Sequence, residues 1–313
     1  MSKILCVIDG MNDLAFDINK YPALASFPER KQIKTVPDGF EVETLPCIFS
    51  LLGINPPPKN IRGWIEAVGA GITVGPDDLI FRGSWVELDH DGICIGFCDA
   101  PDNIPALDKA RIFSLGGYKS LLILPGCAPY FGSIRTHLPF ELLGKNIREY
   151  IFPDIPILKN TVALLGGVRP NRIMIPWAAS IAQDMPDFLQ TTAVVSGTNV
   201  IKGIAKALNM RLATSDAMTG DTDTDLSGKL HITLELAEDI PFVILHIGGC
   251  DEAAHRKDWA EKEAFLSKID KIVLPGLICS KHIIEVASDH GSDPLTGKHT
   301  GGMQPLFLNN SKL

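Results

Sequence analysis

The chain has 313 residues and a formal net charge of −8, from 29 Lys and Arg against 37 Asp and Glu. With 45% hydrophobic residues, 21% charged residues and a mean hydropathy of +0.15, it is a globular chain with a sizeable core, not a disordered one. The acidic balance excludes a binder of nucleic-acid backbones, and no stretch approaches the ~18 apolar residues of a membrane span. Seven cysteines (Cys6, Cys47, Cys94, Cys98, Cys127, Cys250, Cys279) are odd in number and form no C-x-x-C pair, so neither a disulfide framework nor a zinc ribbon is expected. Together with an opening apolar run that Asp9 ends too soon for a secretory segment, this predicts a reduced, cytoplasmic protein.

In chain order, Lys3 to Asp9 reads as a buried strand followed by the loop Gly10-Met11-Asn12-Asp13. An apolar helix-like run begins just after Thr44. After Asn55-Pro56-Pro57-Pro58, a short helix is predicted around Ile65–Val68, then strands at Asp78–Arg82 and Val86–Leu88 before the turn Asp89-His90-Asp91-Gly92. From about 100 to 180 prolines recur (Pro101, Pro105, Pro125, Pro129, Pro139, Pro153, Pro156, Pro170, Pro176) around one clear strand, Leu121–Leu124, which predicts an inserted unit. Regular alternation returns with strands at Ala193–Val195 and Arg211–Thr214, helices at Asn199–Asn209 and Lys229–Glu238, and a strand from Phe242. Strand and helix in succession imply βαβ units and a mostly parallel sheet.

Three apolar runs stop on acids or imidazoles: Ile4–Ile8 into Asp9, Phe242–Leu245 shortly before Asp251, and Ile283–Ala287 into Asp289-His290. Parallel sheets place ligands outside the carboxyl ends of their strands, and Asp and His suit divalent ions, so the three together resemble a two-metal site. Asp251 and His255, four apart, share a face if helical and can chelate one ion; alone, the pair also fits a dipole-stabilising acid and a solvated His. His299 follows in a Gly-rich loop, and Gly291 lets the chain leave the sheet after Asp289-His290. Thr44 stands where a helix N-cap would, so it reads equally as a cap or as a hydroxyl nucleophile at a positive helix end. Cys47 has apolar neighbours and reads as a core thiol.

The ordered set Val7-Ile8-Asp9-Gly10, Thr44 ahead of Cys47-Ile48 and Leu51-Leu52-Gly53, Arg62-Gly63-Trp64-Ile65-Glu66-Ala67, Phe81-Arg82, Asp221-Thr222-Asp223 with Lys229, Asp251-Glu252-Ala253-Ala254-His255, and Ser288-Asp289-His290 with His299 resembles the archaeal-type cofactor-independent phosphoglycerate mutases of the alkaline phosphatase superfamily. The resemblance spans about residues 1–95 and 190–313. It implies an α/β fold: a three-layer core with a mostly parallel sheet from residues 1–95 and 181–313, and a smaller inserted α/β domain at 96–180 that covers the substrate.

By the same resemblance, Asp9, Thr44, Asp289 and His290 surround one divalent metal ion, and Asp251, His255 and His299 hold a second. Mn or Zn are expected, Mg and Co are compatible, and no 2,3-bisphosphoglycerate is needed. Thr44 takes the nucleophile position, where the family usually has Ser, and Arg62, Arg82 and Lys229 fall on basic positions that engage the substrate's phosphate or carboxylate. The implied activity interconverts 2- and 3-phosphoglycerate through a phosphothreonine. The alternatives are a phosphatase or phosphotransferase of the same superfamily acting on another small phosphorylated metabolite, or a silent metabolite-binding protein. The departures are Asn12 in place of a Gly, a shortened insert, and Ser133–Pro139 near where the family has an Asp-rich turn.

Overall fold

A computed structural model of the chain describes residues 1–102, 109–136, 138–149, 171–188 and 191–309. Pro105, His137, Pro153, Pro156 and Pro170 lie outside the described residues. The chain divides into two units, Met1–Pro58 with Met185–Leu313, and Lys59–Asp184. The first opens with β1 (Lys3–Ile8), α1 (Pro22–Ala25), β2 (Glu29–Lys34) and α2 (Thr44–Leu51). The second holds α3 (Arg62–Gly69), β3 (Leu79–Leu88), β4 (Cys94–Phe97), β5 (Arg111–Gly116), β6 (Lys119–Leu124) and β7 (Arg172–Ser180). The first then resumes with β8 (Thr192–Val195), α4 (Asn199–Ala207), β9 (Arg211–Ala213), α5 (Leu226–Asp239), β10 (Phe242–Ile247), α6 (Gly249–His255) and α7 (Trp259–Cys279). It ends in β11 (Ile283–Ala287), β12 (Gly291–Asp293), β13 (Lys298–Thr300) and β14 (Met303–Asn309).

The main sheet of the first unit has the order β2-β14-β11-β1-β10-β8-β9. From β11 to β9 every pairing is parallel, and β14 and β2 add an antiparallel edge. In the central strands the residues of both faces are buried: Ile4, Cys6 and Ile8 pack with Leu236 of α5 and Phe265, Ile269 and Leu274 of α7, while Leu5, Val7 and Ile244 are also buried. A strand covered on both sides reads as a continuous apolar run, which is why β1, β10 and β11 were legible in the sequence. Edge strand β2, ERKQIK, has one apolar residue, Ile33, among five polar ones and escaped notice. Helix α7 was also missed; Asp258 caps it by accepting from Glu261 N, and it carries Pro275 in its last turns.

The second unit is an antiparallel sheet of order β4-β3-β6-β5 with β7 also paired to β3, and α3 packs against β3 and β7. Two expectations are corrected here. The segments Asp78–Arg82 and Val86–Leu88 belong to one ten-residue strand, which runs unbroken through Gly83 because Met174 of β7 lies against that position. The inserted unit begins at Lys59, not at residue 96, because β3 pairs along both edges with β6 and β7, so residues 59–95 cannot belong to the parallel sheet. Among the described residues, no helix is long and apolar enough to cross a membrane.

Gly197, just after β8, approaches the loop after β9 so closely that an added Cβ would lie 1.4 Å from the carbonyl oxygen of Met218. Gly197→Ala is therefore expected to destabilise the first unit by about 1–3 kcal/mol or more, read as a lower urea midpoint with unchanged slope.

Candidate metal centre

Strands β11, β1 and β10 lie side by side, with Val7 opposite both Ala287 and His246. Their chains therefore leave the sheet at one level. Asp9 follows β1, Asp289 and His290 follow β11, and α6 starts two residues after β10, carrying Asp251 in its first turn and His255 in its last. His299 comes from β13, which pairs with β12 and sets His299 opposite Ser292. These residues and Thr44 all belong to the first unit.

Thr44 is the first residue of α2, and the cap position belongs to Glu43, which makes no side-chain cap. The N-cap reading of Thr44 is thus corrected. Its buried hydroxyl is left for other use, and Oγ1 stands 3.2 Å from Nε2 of His290. Cys47 is fully buried and burial pushes its thiol pKa up, as a core cysteine's should be.

One half of the centre gathers on Asp251. His255 Nε2 lies 3.2 Å from Asp251 Oδ2, and His299 Nε2 lies 3.4 Å from Asp251 Oδ1. The two imidazoles bring their Nε2 atoms within 3.1 Å of each other. On the far side of each ring, Nδ1 of His255 donates to the carbonyl of Gly297 at 2.9 Å, and Nδ1 of His299 to that of Val42 at 2.7 Å. Because a carbonyl only accepts, each neutral ring has its proton on Nδ1 and turns an Nε2 lone pair inward, the arrangement of a histidine poised to ligate.

The other half gathers on His290. Its Nδ1 faces the Gly291 carbonyl at 3.2 Å, while Nε2 lies 3.4 Å from Asp289 Oδ2 and 3.5 Å from Asp9 Oδ1. Asp289 Oδ1 accepts from the backbone N–H of Gly10 at 3.2 Å. Buried Asp9 Oδ1 and Asp289 Oδ2 have no hydrogen-bond partner. The donor atoms of Asp9, Asp289 and His290 lie within 4.8 Å of one another, as do those of Asp251, His290 and His299. Orphaned carboxylate oxygens and converging nitrogen lone pairs in a buried site fit divalent cations, which would complete both. A third grouping, Asp89, His90 and Asp91, lies in the turn after β3 with His90 and Asp91 exposed.

The electrostatics agree. Burial, then the neighbouring carboxylates of Asp289 and Asp251, raise the pKa of Asp9 well above the carboxylate range. Burial also costs the Asp251 carboxylate, but His255 and His299 outweigh it and hold its pKa well below the ordinary value. Burial disfavours the His255 cation, yet Asp251 overrides this and lifts the pKa to about 9.

Several polar neighbours were not anticipated. Ser292 Oγ donates to Asp251, and Lys262 donates to the Ser292 carbonyl at 2.6 Å and to Asp13 at 2.7 Å. His246, fully buried inside β10, puts Nε2 3.3 Å from Asp9 Oδ2. Its one sequence signal was a lone imidazole in the apolar run Phe242–Ile247. Asp221 of the Asp-Thr-Asp motif accepts a two-pronged contact from Arg256, with NH1 at 2.8 Å and NH2 at 2.7 Å, and so ties that loop to the end of α6.

The three basic positions have different surroundings. Lys229 is fully buried, which rules out the surface-charge reading; it donates to the carbonyls of Thr219 at 3.0 Å and His246 at 3.3 Å, and burial lowers its pKa to about 8. Arg62 and Arg82 belong to the second unit. There each places Nε 2.8 Å from one oxygen of buried Glu66, and Arg82 also donates to the carbonyls of Gly83 and Ser120. Burial opposes ionisation of Glu66, but Arg82 and Arg62 prevail and its pKa is lowered.

A parallel α/β sheet whose three central strands end among Asp and His donors, with a buried hydroxyl beside them, is the arrangement of a metalloenzyme. Residues 160–313 match the Metalloenzyme superfamily, and residues 32–100 match the family described as 2,3-bisphosphoglycerate-independent phosphoglycerate mutase. The two matches cover different stretches of the chain, and both point to metal-dependent phosphoryl-transfer proteins as its relatives. Among curated relatives, 2,3-bisphosphoglycerate-independent phosphoglycerate mutase 2 of Methanothermobacter thermautotrophicus is 25% identical over 98% of this chain and 88% of its own length. The corresponding mutase 1 of Archaeoglobus fulgidus is 22% identical with the same coverage. The fold matches the PH0037 protein of Pyrococcus horikoshii with a TM-score of 0.73 at 17% identity, over 98% of this chain and 87% of that one. It also matches the cofactor-independent phosphoglycerate mutase of Thermoplasma acidophilum, with a TM-score of 0.53 at 18% identity, over 99% and 90%.

In the metal-free protein Asp9 is the most strained of the carboxylates. Its folded pKa lies above the unfolded value, so its ionisation costs stability as pH rises through that interval and the cost persists at neutral pH. Asp9→Asn should therefore raise the thermal midpoint of chelator-treated protein at pH 7, by roughly 0.5–2 kcal/mol in stability. An unchanged or lower midpoint would contradict the crowding of charge described here.

Proposed function

We propose that this protein is a metal-dependent phosphomutase that interconverts 2-phosphoglycerate and 3-phosphoglycerate through a phosphothreonine at Thr44. The observation that carries the reading is the Thr44 hydroxyl, buried, unused by its helix, and 3.2 Å from His290 at the edge of the carboxylate cluster. Asp9, Asp289, His290 and Thr44 would hold one divalent ion, and Asp251, His255 and His299 another, with Mn or Zn the expected metals given the mixed Asp and His donors. When bound, such ions supply Lewis-acid charge that lowers a hydroxyl pKa and neutralises phosphoryl oxygens.

The chain's own part is positional. The first turn of α2 fixes Thr44, whose oxygen attacks phosphorus in line as the bond to the glycerate oxygen breaks. The other hydroxyl of the same glycerate then takes the phosphoryl group back from Thr44. Arg62 is proposed to serve a substrate anion, while Lys229 and Arg82, buried and bonded to backbone carbonyls, are proposed to hold their surroundings in place. In the second unit, Arg62 and Arg82 both place Nε against the Glu66 carboxylate, which fixes the Arg62 guanidinium for such a contact. Seven cysteines, all unpaired, support a cytoplasmic setting for this reaction.

Labelled phosphate on 3-phosphoglycerate should reappear on the 2-isomer when the Mn-loaded protein acts on it; release only as free phosphate would replace the mutase with a phosphatase. Thr44→Ala should lower turnover by about 10⁴-fold or more while metal content stays near normal. Thr44→Ser should keep the reaction.

Metal affinity should depend on pH through His255. Its pKa of about 9 lies above the ordinary 6.5, so its ion pair with Asp251 supports the metal-free fold fully below about pH 6.5 and is lost as pH rises through about 9. The same proton competes with the cation, so apparent affinity should climb across that interval and then level off. Calorimetric Mn titrations at several pH values check this, and His255→Ala should both weaken binding and flatten the rise.

A further inference from the structure

Four histidines reach the carboxylates of this centre, and one is wired differently from the rest. His255, His290 and His299 each set Nδ1 against a backbone carbonyl, which leaves Nε2 as the inward lone pair. His246 sets Nδ1 against hydroxyls instead, Ser196 Oγ and Thr198 Oγ1, each at 3.5 Å. Ser196 Oγ already accepts the backbone N–H of Thr198 at 3.1 Å, so its own proton is free to be given to the ring. On the opposite edge, Nε2 of His246 is buried without a hydrogen-bond partner of its own in the metal-free protein and faces Asp9 Oδ2 at 3.3 Å. Once a cation offsets the crowding of carboxylates, Asp9 is ionised and only accepts, and a neutral imidazole carries one proton. The consistent assignment runs Thr198 N–H to Ser196 O–H to His246 Nδ1, and His246 Nε2–H to Asp9. His246 is 0% exposed, and its carbonyl is itself fixed by Lys229 at 3.3 Å.

We infer that His246 is a positioning residue for Asp9: as the Nε2–H tautomer it holds Oδ2 and thereby keeps Oδ1, which has no hydrogen-bond partner, presented to the metal. His246 is not a ligand. With its proton on Nε2, the ring turns no lone pair toward the carboxylates, and its bare Nδ1 faces the hydroxyls of Ser196 and Thr198. Outer contacts of this kind tune metal affinity by about 10–100-fold. The inference rests on the reading of Asp9 as a metal ligand, and the experiment separates the two.

Mn²⁺ titration by calorimetry would compare the wild-type protein with Asp9→Asn, His246→Phe and His246→Gln. Asp9→Asn should weaken one class of site. His246→Phe, which keeps a ring in the core but no donor, should weaken the same class by about 10–100-fold, and His246→Gln, which restores an N–H near the Nε2 position, should recover most of the loss. If Asp9→Asn binds Mn²⁺ like the wild type, the ligand reading itself falls. If Asp9→Asn weakens binding and His246→Phe does not, or Gln fails to rescue, the positioning role falls. A second measurement needs no variant: ¹⁵N shifts of His246 in the wild-type protein loaded with diamagnetic Zn²⁺ should show a protonated Nε2 and a bare Nδ1. Protonation at Nδ1 instead would overturn the inference.

Discussion

Crowding of like groups governs this molecule. Parallel strands in register end together, so β11, β1 and β10 deliver Asp289, Asp9 and Asp251 to one small buried volume. Carboxylates so placed repel one another, and their desolvation adds to the cost. The sheet tolerates this because its core is covered on both faces and can carry a local penalty. His255 and His299 relieve it at Asp251, while Asp9 Oδ1 and Asp289 Oδ2 keep no hydrogen-bond partner. Three imidazoles have Nδ1 against a backbone carbonyl and so turn Nε2 toward the acids. Such a cluster is completed by cations and by little else.

The part of this design that depends on burial was legible in the sequence. An apolar run that halts at Asp9, Asp251 or Asp289 marks both a central strand and its ligand end, because a parallel sheet leaves no other place for those acids. The four-residue step from Asp251 to His255 became a shared helix face, as its spacing suggested. What could not be read was orientation. Thr44 sits one position inside the helix instead of at its cap, a difference of one residue that turns the hydroxyl from a helix cap to a partner of His290. His246 was hidden for the opposite reason, since an imidazole within a buried strand carries no periodic signal of its own.

The second unit shows a different limit. Its strands are antiparallel and unevenly apolar, and glycine at position 83 broke the pattern of a strand that packs continuously against its neighbours. The boundary was therefore placed too late. Once β3 is seen to pair on both sides within its own sheet, residues 59–95 have no free edge with which to join the other one. Arg62 and Arg82 were singled out through the family resemblance alone, and their arrangement around Glu66 emerges only from three-dimensional contact.

The chain departs from the first unit after Pro58 and returns at Met185, so the whole of the second unit interrupts a connection between α2 and β8 and no strand is split to accommodate it. Residues gained or lost there leave the register of β11, β1 and β10 untouched, so the spacing of Asp289, Asp9 and Asp251 does not depend on the length of the second unit.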